Sequence, residues 1–372
     1  MPRNPLVELA QLGQSIWLDH IDRRILDGTL ARLIREDRLA GLTSNPAIFE
    51  KAIAHGADYA DAIARLRSSS AERMYEALVL ADIGRAADQF RPVYEATRGR
   101  DGYVSIEVSP LLARDMDATL AEARALWAKL ERPNIMIKVP GTREGLPAIK
   151  QLIADGINVN VTLLFSVGRY VEVLDAYIEG LEARHARGLP LAGVASVASF
   201  FLSRIDVKVD ALLDTMAAGG GPKAEAAKAL RGQAAIASAG FAYLRYTGIT
   251  ASPRWQALRT AGAQTQRLLW ASTGTKDPAY SDIKYVEALI AADTVNTLPV
   301  ETLDAYRDHG KPALRIEQAI AGASATMRGL LDVGIDMHAI DDALETEGIE
   351  KFVKPYQSLL KSIEKLREHA IA

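Results

Sequence analysis

The segment that decides the fold contains two apolar runs, IMIKVP at residues 135–140 and NVNVTLLF at residues 158–165. Each run has the length and the β-branched content of a buried strand. Between them, residues 144–155 repeat apolar side chains with a helical period. A strand, a helix and a second strand in this order form a parallel βαβ unit, so the segment predicts an α/β fold.

The same alternation of strands and helices extends in both directions from this segment. Strands are predicted at 15–20, 41–45, 104–109, 135–140, 158–165, 194–201, 267–273 and 293–298. Helical segments are predicted at 22–38, 70–97, 115–131, 144–155, 166–187, 203–247 and 281–291. Eight βα units in one chain predict a (β/α)8 barrel. A doubly wound sheet is the alternative, but no G-x-G-x-x-G motif follows the first strand.

Two segments exceed a minimal barrel, and we expect both to belong to a single domain spanning 1–372. Residues 203–265 form a helical insertion with a turn at 219–222, and residues 301–372 form a helical tail. The tail has an apolar face, which we expect to pack on the outer surface of the barrel. A tail that covers the barrel or forms a dimer contact is the alternative. This face consists of Phe352, Tyr356, Leu359, Leu360 and Ile363.

Composition excludes several classes of protein. The chain has 372 residues, 49% hydrophobic residues and a net charge of −3, which argues against a nucleic-acid-binding surface. It has no cysteine, so disulfides and thiolate metal sites are excluded. No apolar run approaches a membrane span, and the first residues lack the apolar core of a signal peptide. We therefore expect a cytoplasmic protein without membrane or nucleic-acid partners.

Polar side chains share one face of the predicted strands. Because side chains alternate across a strand, Lys138 lies opposite Ile137 and Val139, on the face that points into the barrel. The same reasoning places further polar residues inside the barrel, toward the carboxyl-terminal ends of the strands, where barrel active sites form. These residues are Asp19, Thr43, Asn45, Glu107, Asn160 and Thr162.

A lysine among carboxyl groups in a buried pocket indicates carbonyl chemistry. A neutral Lys138 can attack a ketone to form an imine, Glu107 can assist the loss of water, and Asp19 can accept a hydroxyl proton during C–C cleavage. A buried ion-pair network without function is the alternative. For Lys138 alone, a strand-end lysine whose ammonium reaches water is a second alternative.

Two basic residues near later strand ends suggest a phosphate site. Arg204 follows the sixth predicted strand and Lys276 follows the seventh, close to Ser272. Arginine suits bidentate phosphate binding, and Ser/Gly/Thr loops offer backbone N–H groups. Either basic residue alone is typical of a solvated surface charge. Together with a lysine that attacks carbonyl groups, the two favour a sugar phosphate as the substrate.

Four motifs of the chain resemble the signatures of the transaldolase family. They are TSNP at 43–46, SIEV at 105–108, IKVP at 137–140 and NVNVTLLFS at 158–166. The resemblance covers about residues 13–300. It implies a metal-free Schiff-base enzyme of the pentose phosphate pathway. Such an enzyme transfers a dihydroxyacetone unit from sedoheptulose 7-phosphate to glyceraldehyde 3-phosphate.

The resemblance also implies roles for individual residues. Lys138 would form the Schiff base, Glu107 and Thr162 would manage a catalytic water, and Asp19 would be the acid and base at the hydroxyl. The remaining candidates would bind substrate: Asn45, Asn160 and Ser199 at the dihydroxyacetone part, Arg204, Ser272 and Lys276 at the phosphate, and Thr43 at a part that the resemblance does not specify. No cofactor is implied. We expect a monomer or a homodimer, and the sequence does not decide between them.

The chain departs from the family pattern at the phosphate loops. Residues 199–204 read SFFLSR, without the proline and glycine of the family's S-P-F-V-G-R element. Lys276 stands where better-known members have arginine, and lysine binds phosphate as a point charge. The long insertion and the tail resemble a longer transaldolase subtype.

Three rival functions remain on the sequence alone. An aldolase that releases dihydroxyacetone would use the same chemistry, but Glu107 and the length of the chain favour a transferase. A metal-dependent barrel enzyme is disfavoured because the six histidines form no i, i+4 or H-x-H pair. A non-catalytic sugar-phosphate binder is disfavoured by the complete Lys/Glu/Asp set.

Overall fold

A closed barrel of eight parallel strands forms the centre of the molecule, which a computed structural model describes over residues 3–55 and 57–371. Each strand pairs with the next along the chain, and β8 pairs with β1. The strands are β1 (Gln14–Asp19), β2 (Gly41–Thr43), β3 (Tyr103–Glu107), β4 (Ile135–Pro140), β5 (Val159–Leu164), β6 (Ser196–Phe201), β7 (Arg267–Ala271) and β8 (Thr294–Leu298). The predicted (β/α)8 fold is confirmed.

Helices connect the strands and surround the barrel. They are α1 (Pro5–Gln11), α2 (Leu30–Glu36), α3 (Pro46–His55), α4 (Ala60–Arg65), α5 (Ala71–Ala96), α6 (Met116–Leu130), α7 (Gly145–Asp155), α8 (Val167–Ala186), α9 (Ser203–Ala218), α10 (Ala224–Leu230), α11 (Ala234–Thr250), α12 (Pro253–Thr260), α13 (Lys284–Ala288), α14 (Val300–His309), α15 (Ile316–Val333) and α16 (Met337–Ile371). Single turns at Ile25–Thr29, Ala57–Tyr59 and Pro110–Leu112 complete the connections.

The predicted helical segments match this order, with two differences. The segment 203–247 divides into α9, α10 and α11, and the first break falls at the predicted turn, where Gly220 and Gly221 have φ values of 68° and 84°. Three helices were not predicted: α1, α3 and α4.

One continuous apolar cluster joins the barrel, the surrounding helices and the tail. This continuity supports our proposal that the chain forms a single domain; Met1, Pro2, Gly56 and Ala372 lie outside the described residues. None of the helices that the structure describes is both long enough and apolar enough to cross a membrane.

The strand register brings three polar residues to one level of the barrel. Glu107 of β3 pairs with Lys138 of β4, and Lys138 pairs with Asn160 of β5. Glu107 is the last residue of β3 and Lys138 lies in the carboxyl-terminal half of β4, whereas Asn160 is the second residue of β5. Parallel strands in register therefore place the candidate catalytic side chains side by side at one end of the barrel.

The side-chain alternation that places Asn160 and Thr162 on one face of β5 does not continue beyond Thr162. The register shifts between Val161 and Leu164, and Leu163 has a φ of 61°, so the strand contains a bulge. A bulge re-aims the side chains that follow it. Leu163 and Phe165 consequently lie against Gly348 of α16 instead of facing the helices that surround the barrel.

The position predicted for the tail is wrong in part. The predicted apolar face is buried at Phe352, Tyr356, Leu359 and Ile363 and half-buried at Leu360. However, α16 contacts β5 and α9 as well as α3, α4 and α5, so it crosses the carboxyl-terminal mouth of the barrel. The bulge in β5 explains this path, because it presents apolar side chains at the mouth that the helix covers.

Candidate active site

Lys138 is the centre of the candidate site. It is 4% exposed, and its Nζ donates a hydrogen bond of 3.2 Å to the carbonyl oxygen of Ser44. The Oε2 of Glu107 lies 3.7 Å from the same nitrogen. This separation is too long for a direct hydrogen bond and suits one bridging water.

Glu107 is positioned to exchange protons near neutral pH. Its side chain is 4% exposed, and burial raises its pKa to about 7, although the neighbouring Lys138 acts in the opposite direction. Neither carboxyl oxygen has a hydrogen-bond partner among the described residues. A group with this pKa can both donate and accept a proton under physiological conditions.

Asp19 is held at the end of β1 by threonine hydroxyls. Thr43 donates a hydrogen bond of 2.8 Å to Asp19 Oδ1, and the Thr43 hydroxyl also lies 2.8 Å from that of Thr297 on β8. The charge of Asp19 raises the pKa of both Glu107 and Arg204, so it lies near both. The structure thus brings Asp19 and Thr43 together as the sequence predicts.

Asn160 and Ser199 form a second polar pair inside the barrel. Ser199 donates to Asn160 Oδ1 at 2.7 Å, and Asn160 Nδ2 donates to Ser105 Oγ at 3.0 Å. Thr162, also completely buried, has a hydroxyl without a hydrogen-bond partner in the described part of the chain. The first two residues are fixed by each other, whereas Thr162 is free to bind a ligand or a water.

Asn45 lies just beyond β2 and not within it, in contrast to the predicted strand 41–45. Its side-chain oxygen accepts a hydrogen bond of 3.0 Å from the backbone N–H of Ile48, which caps α3. Because Asn45 initiates this helix, its carboxamide has a fixed orientation beside Ser44, the hydrogen-bond partner of Lys138.

The three candidate phosphate ligands line one cavity of about 750 Å³. Arg204 is the second residue of α9, and Ser272 and Lys276 lie in the loop after β7. The hydroxyl groups of Ser203 and Ser272 lie 2.8 Å apart and join the two loops. Burial lowers the pKa of the Arg204 guanidinium, and its Nη1 is buried without a partner among the described residues.

Phe352 is a part of the site that sequence reasoning missed. Its ring centroid lies 5.6 Å from Lys138 Nζ and 5.6 Å from the guanidinium carbon of Arg204. The apolar face of the tail predicted that Phe352 is buried. The sequence did not show that it packs against Lys138 and Arg204. Thr297 was also missed, although its strand was predicted.

The described residues contain no group of three or more His, Asp or Glu side chains that could hold a metal ion. The polar groups instead converge on one lysine. This arrangement suits a carbonyl compound bound at Lys138, with its chain extending toward the cations at Arg204.

Comparison with known proteins agrees with the geometry of the site. The family model described as Transaldolase/Fructose-6-phosphate aldolase matches residues 16–363. The chain is 50% identical over 372 residues to Transaldolase 2 of a Nostoc species, covering 98% of both chains. It is 48% identical over 359 residues to the transaldolase of Thiobacillus denitrificans, covering 96% of this chain and 98% of that one. The transaldolase of Thermobifida fusca is 48% identical over 364 residues, with 97% of both chains covered.

Proposed function

Because the chain belongs to the transaldolase and fructose-6-phosphate aldolase family, we propose that Lys138 is the residue through which it transfers a dihydroxyacetone unit. The activity is that of a transaldolase, which is a transferase that exchanges this unit between sugar phosphates. In the expected reaction, sedoheptulose 7-phosphate and glyceraldehyde 3-phosphate give erythrose 4-phosphate and fructose 6-phosphate. The observation that carries the role of Lys138 is its burial beside Glu107, whose carboxyl group has no hydrogen-bond partner among the described residues.

The first half of the reaction forms an iminium ion. Neutral Lys138 Nζ attacks the carbonyl carbon of the ketose and gives a carbinolamine. Glu107, with a pKa of about 7, protonates the departing hydroxyl through a water held also by Thr162, and water leaves. The 3.7 Å separation of Lys138 and Glu107 supports this relay.

The second half breaks and remakes a carbon–carbon bond. Asp19 accepts the proton of the hydroxyl next to the bond that breaks, and the bonding electrons move into the iminium to give an enamine. The aldose phosphate leaves while the three-carbon unit stays on Lys138. An acceptor aldehyde then enters, the steps reverse, and hydrolysis of the new iminium restores the lysine.

The remaining candidates position the substrate. We propose that Asn45, Asn160 and Ser199 bind the hydroxyl groups of the three-carbon unit. Retention of this unit separates a transferase from an aldolase, so contacts that hold it on the enzyme matter for both steps.

We propose that Arg204, Ser272 and Lys276 bind the phosphate. Their common cavity beside the buried Lys138 supports this assignment. A charged anchor at the far end of the sugar would direct its carbonyl carbon to the lysine.

Location and assembly belong to the same proposal. We propose that the enzyme works in the cytoplasm, as a monomer or a homodimer. The cysteine-free sequence is compatible with a reducing compartment. Light scattering on the purified protein would distinguish the two states of assembly.

Borohydride trapping tests the assignment of Lys138. Reduction in the presence of fructose 6-phosphate should add one dihydroxyacetone-derived mass to the peptide that contains Lys138, and Lys138→Met should abolish the adduct. An adduct on another lysine, such as Lys276, would overturn the assignment.

A second assay distinguishes transfer from simple aldol cleavage. Fructose 6-phosphate should be consumed rapidly only when erythrose 4-phosphate is present. Release of free dihydroxyacetone at a comparable rate without this acceptor would show that the chain acts as an aldolase.

A further inference from the structure

The cavity beside Arg204 is lined on a third side by residues that are not among the candidate phosphate ligands. Its polar lining comes from α9, from the loop after β7 and from α16. The helix α16 contributes Glu347 and Lys351. The helix begins 39 positions after the end of β8, so these residues reach the cavity only through the folding of the tail.

The cavity is strongly cationic. Four basic residues line it, namely Arg204, Lys208, Lys276 and Lys351, against a single carboxyl group, that of Glu347. Lys208 forms an ion pair of 2.5 Å with Glu347 and holds the pKa of that carboxyl below its usual value. This pair neutralises itself, so the other three cations determine the charge that a ligand meets.

Those three cations lack protein partners that would satisfy them. Arg204 Nη1 is buried and unpaired, and the ammonium groups of Lys276 and Lys351 form no hydrogen bond or ion pair within residues 3–55 and 57–371. The carboxyl groups of Asp19, Glu107 and Glu347 lie near enough to act on Arg204, and Glu347 also acts on Lys351, but within the described residues none of them forms a hydrogen bond with these cations. An anion that binds among the three cations adds charge-assisted hydrogen bonds and reduces the repulsion that remains between them.

Lys351 lies at the cavity because ion pairs hold this part of α16 against the barrel. It follows Glu347 by one helical turn, so both side chains lie on the same face of α16. Ion pairs of Glu347 with Lys208 on α9 and of Glu345 with Arg169 on α8 hold this part of the helix to the barrel. The next residue, Phe352, is 4% exposed and lies on the side of the helix that faces Lys138.

We propose that Lys351 is a third cationic ligand of the substrate phosphate and that the C-terminal helix therefore forms part of the phosphate site. The inference rests on the proposed transfer of sugar phosphates. The ligand is the phosphate monoester at the end of the donor ketose and of the acceptor aldose. Three cations from separate parts of the chain surround this dianion, and its binding clamps α16 against α9 and the loop after β7.

Replacement of Lys351 by glutamine tests the proposal, with Lys354→Gln as the matched control. Lys354 lies one turn further along the same helix, pairs with Glu350 at 3.3 Å and does not line the cavity. Lys351→Gln should raise KM for fructose 6-phosphate by about tenfold to a hundredfold, the range expected for a lost charged hydrogen bond. Lys354→Gln should leave KM within about twofold.

Two further measurements separate phosphate binding from general damage. Borohydride trapping of Lys138 with dihydroxyacetone, which has no phosphate, should proceed equally in both variants, and Lys351→Arg should restore most of the lost KM. An unchanged KM in Lys351→Gln, or an equal loss of trapping with dihydroxyacetone, would overturn the proposal.

Binding of inorganic phosphate keeps this test independent of the proposed reaction. Phosphate should raise the melting temperature of the wild type and of Lys354→Gln, and less so that of Lys351→Gln. If no adduct forms on Lys138 but this difference in phosphate binding persists, the proposed reaction fails while the role of Lys351 stands. If phosphate stabilises all three proteins equally, Lys351 is not a ligand.

Discussion

The two ends of the barrel interior bury similar polar groups but pair them differently. At the amino-terminal end, Arg267 forms an ion pair of 2.8 Å with Asp101 and donates a 2.7 Å hydrogen bond to Ser15. Ser15 in turn donates to Asp101 at 2.8 Å. The two charges and the hydroxyl therefore satisfy one another.

At the carboxyl-terminal end of the barrel interior, several buried polar groups lack hydrogen-bond partners among the described residues. Lys138 and Glu107 lie 3.7 Å apart, and the hydroxyl of Thr162 and the Nη1 of Arg204 have no partner among the described residues. An unsatisfied buried polar group costs about 1–3 kcal/mol. The charged groups at this end therefore keep polar atoms available for a ligand, whereas Arg267, Asp101 and Ser15 use theirs on one another.

Lys138→Met is the strongest test of this difference. Removal of the proposed nucleophile should lower kcat by a factor on the order of 10⁴ or more. The melting temperature should stay the same or rise, because the variant no longer buries an ammonium group that lacks full pairing. A large loss of stability would mean that this end, too, is built for the fold.

Glu107→Gln should lower kcat by about 10²–10⁴, the range for a general acid or base. Its stability should also respond to pH in a defined direction. Because burial raises the pKa of Glu107 to about 7 from a usual value near 4.5, the folded protein holds a proton that the unfolded chain releases. The stability of the wild type relative to Glu107→Gln should therefore fall as pH rises from about 4.5 to 7, and level off above that.

Denaturant unfolding of both proteins across this pH range measures the effect. A relative stability that rises with pH would contradict the raised pKa and would place Glu107 in a tight ion pair with Lys138.

Arg267→Met tests the opposite end. It leaves Asp101 buried without its cation and should cost about 3–5 kcal/mol in the free energy of unfolding, with kcat unchanged where the protein remains folded. The double variant with Asp101→Asn should recover most of this loss. A drop in kcat at temperatures far below unfolding would show that the two ends are coupled.

Two serine-to-alanine variants, one at each end of the barrel interior, should give the smallest effects. Ser199→Ala removes the donor to Asn160 and should lower kcat/KM about fivefold, equivalent to about 1 kcal/mol. Ser15→Ala should lower the free energy of unfolding by a similar amount without changing kcat/KM. If both variants lose only stability, Ser199 is structural and does not position the substrate.

The sequence predicts the barrel and the inner face of its strands because both depend on local patterns. Alternation alone places Lys138 opposite Ile137 and Val139, and the register then sets it beside Glu107. The bulge at Leu163 has no such local signature, since the apolar run continues through it. Three short or early helices, α1, α3 and α4, were missed as well, although α3 carries a recognisable start at Asn45-Pro46.

Contacts between distant segments could not be predicted from the sequence. The position of Phe352 over Lys138 joins residues from the tail and from β4, and depends on the packing of a whole helix across the mouth. The pairing of Arg267 with Asp101 likewise joins residues 166 positions apart. In both cases the sequence shows a residue suited to burial or pairing, but only the fold selects the partner.

The position of α16 in the chain has a consequence for protein synthesis. All eight strands are complete by Leu298, whereas the helix that covers Lys138 begins at Met337. A growing chain can close its barrel before this helix exists, since domains fold from the amino terminus as they are made. A nascent chain or a truncated product would then expose the apolar mouth at Leu163 and Phe165 together with Lys138, so completion of the last helix ends the exposure of an aggregation-prone surface.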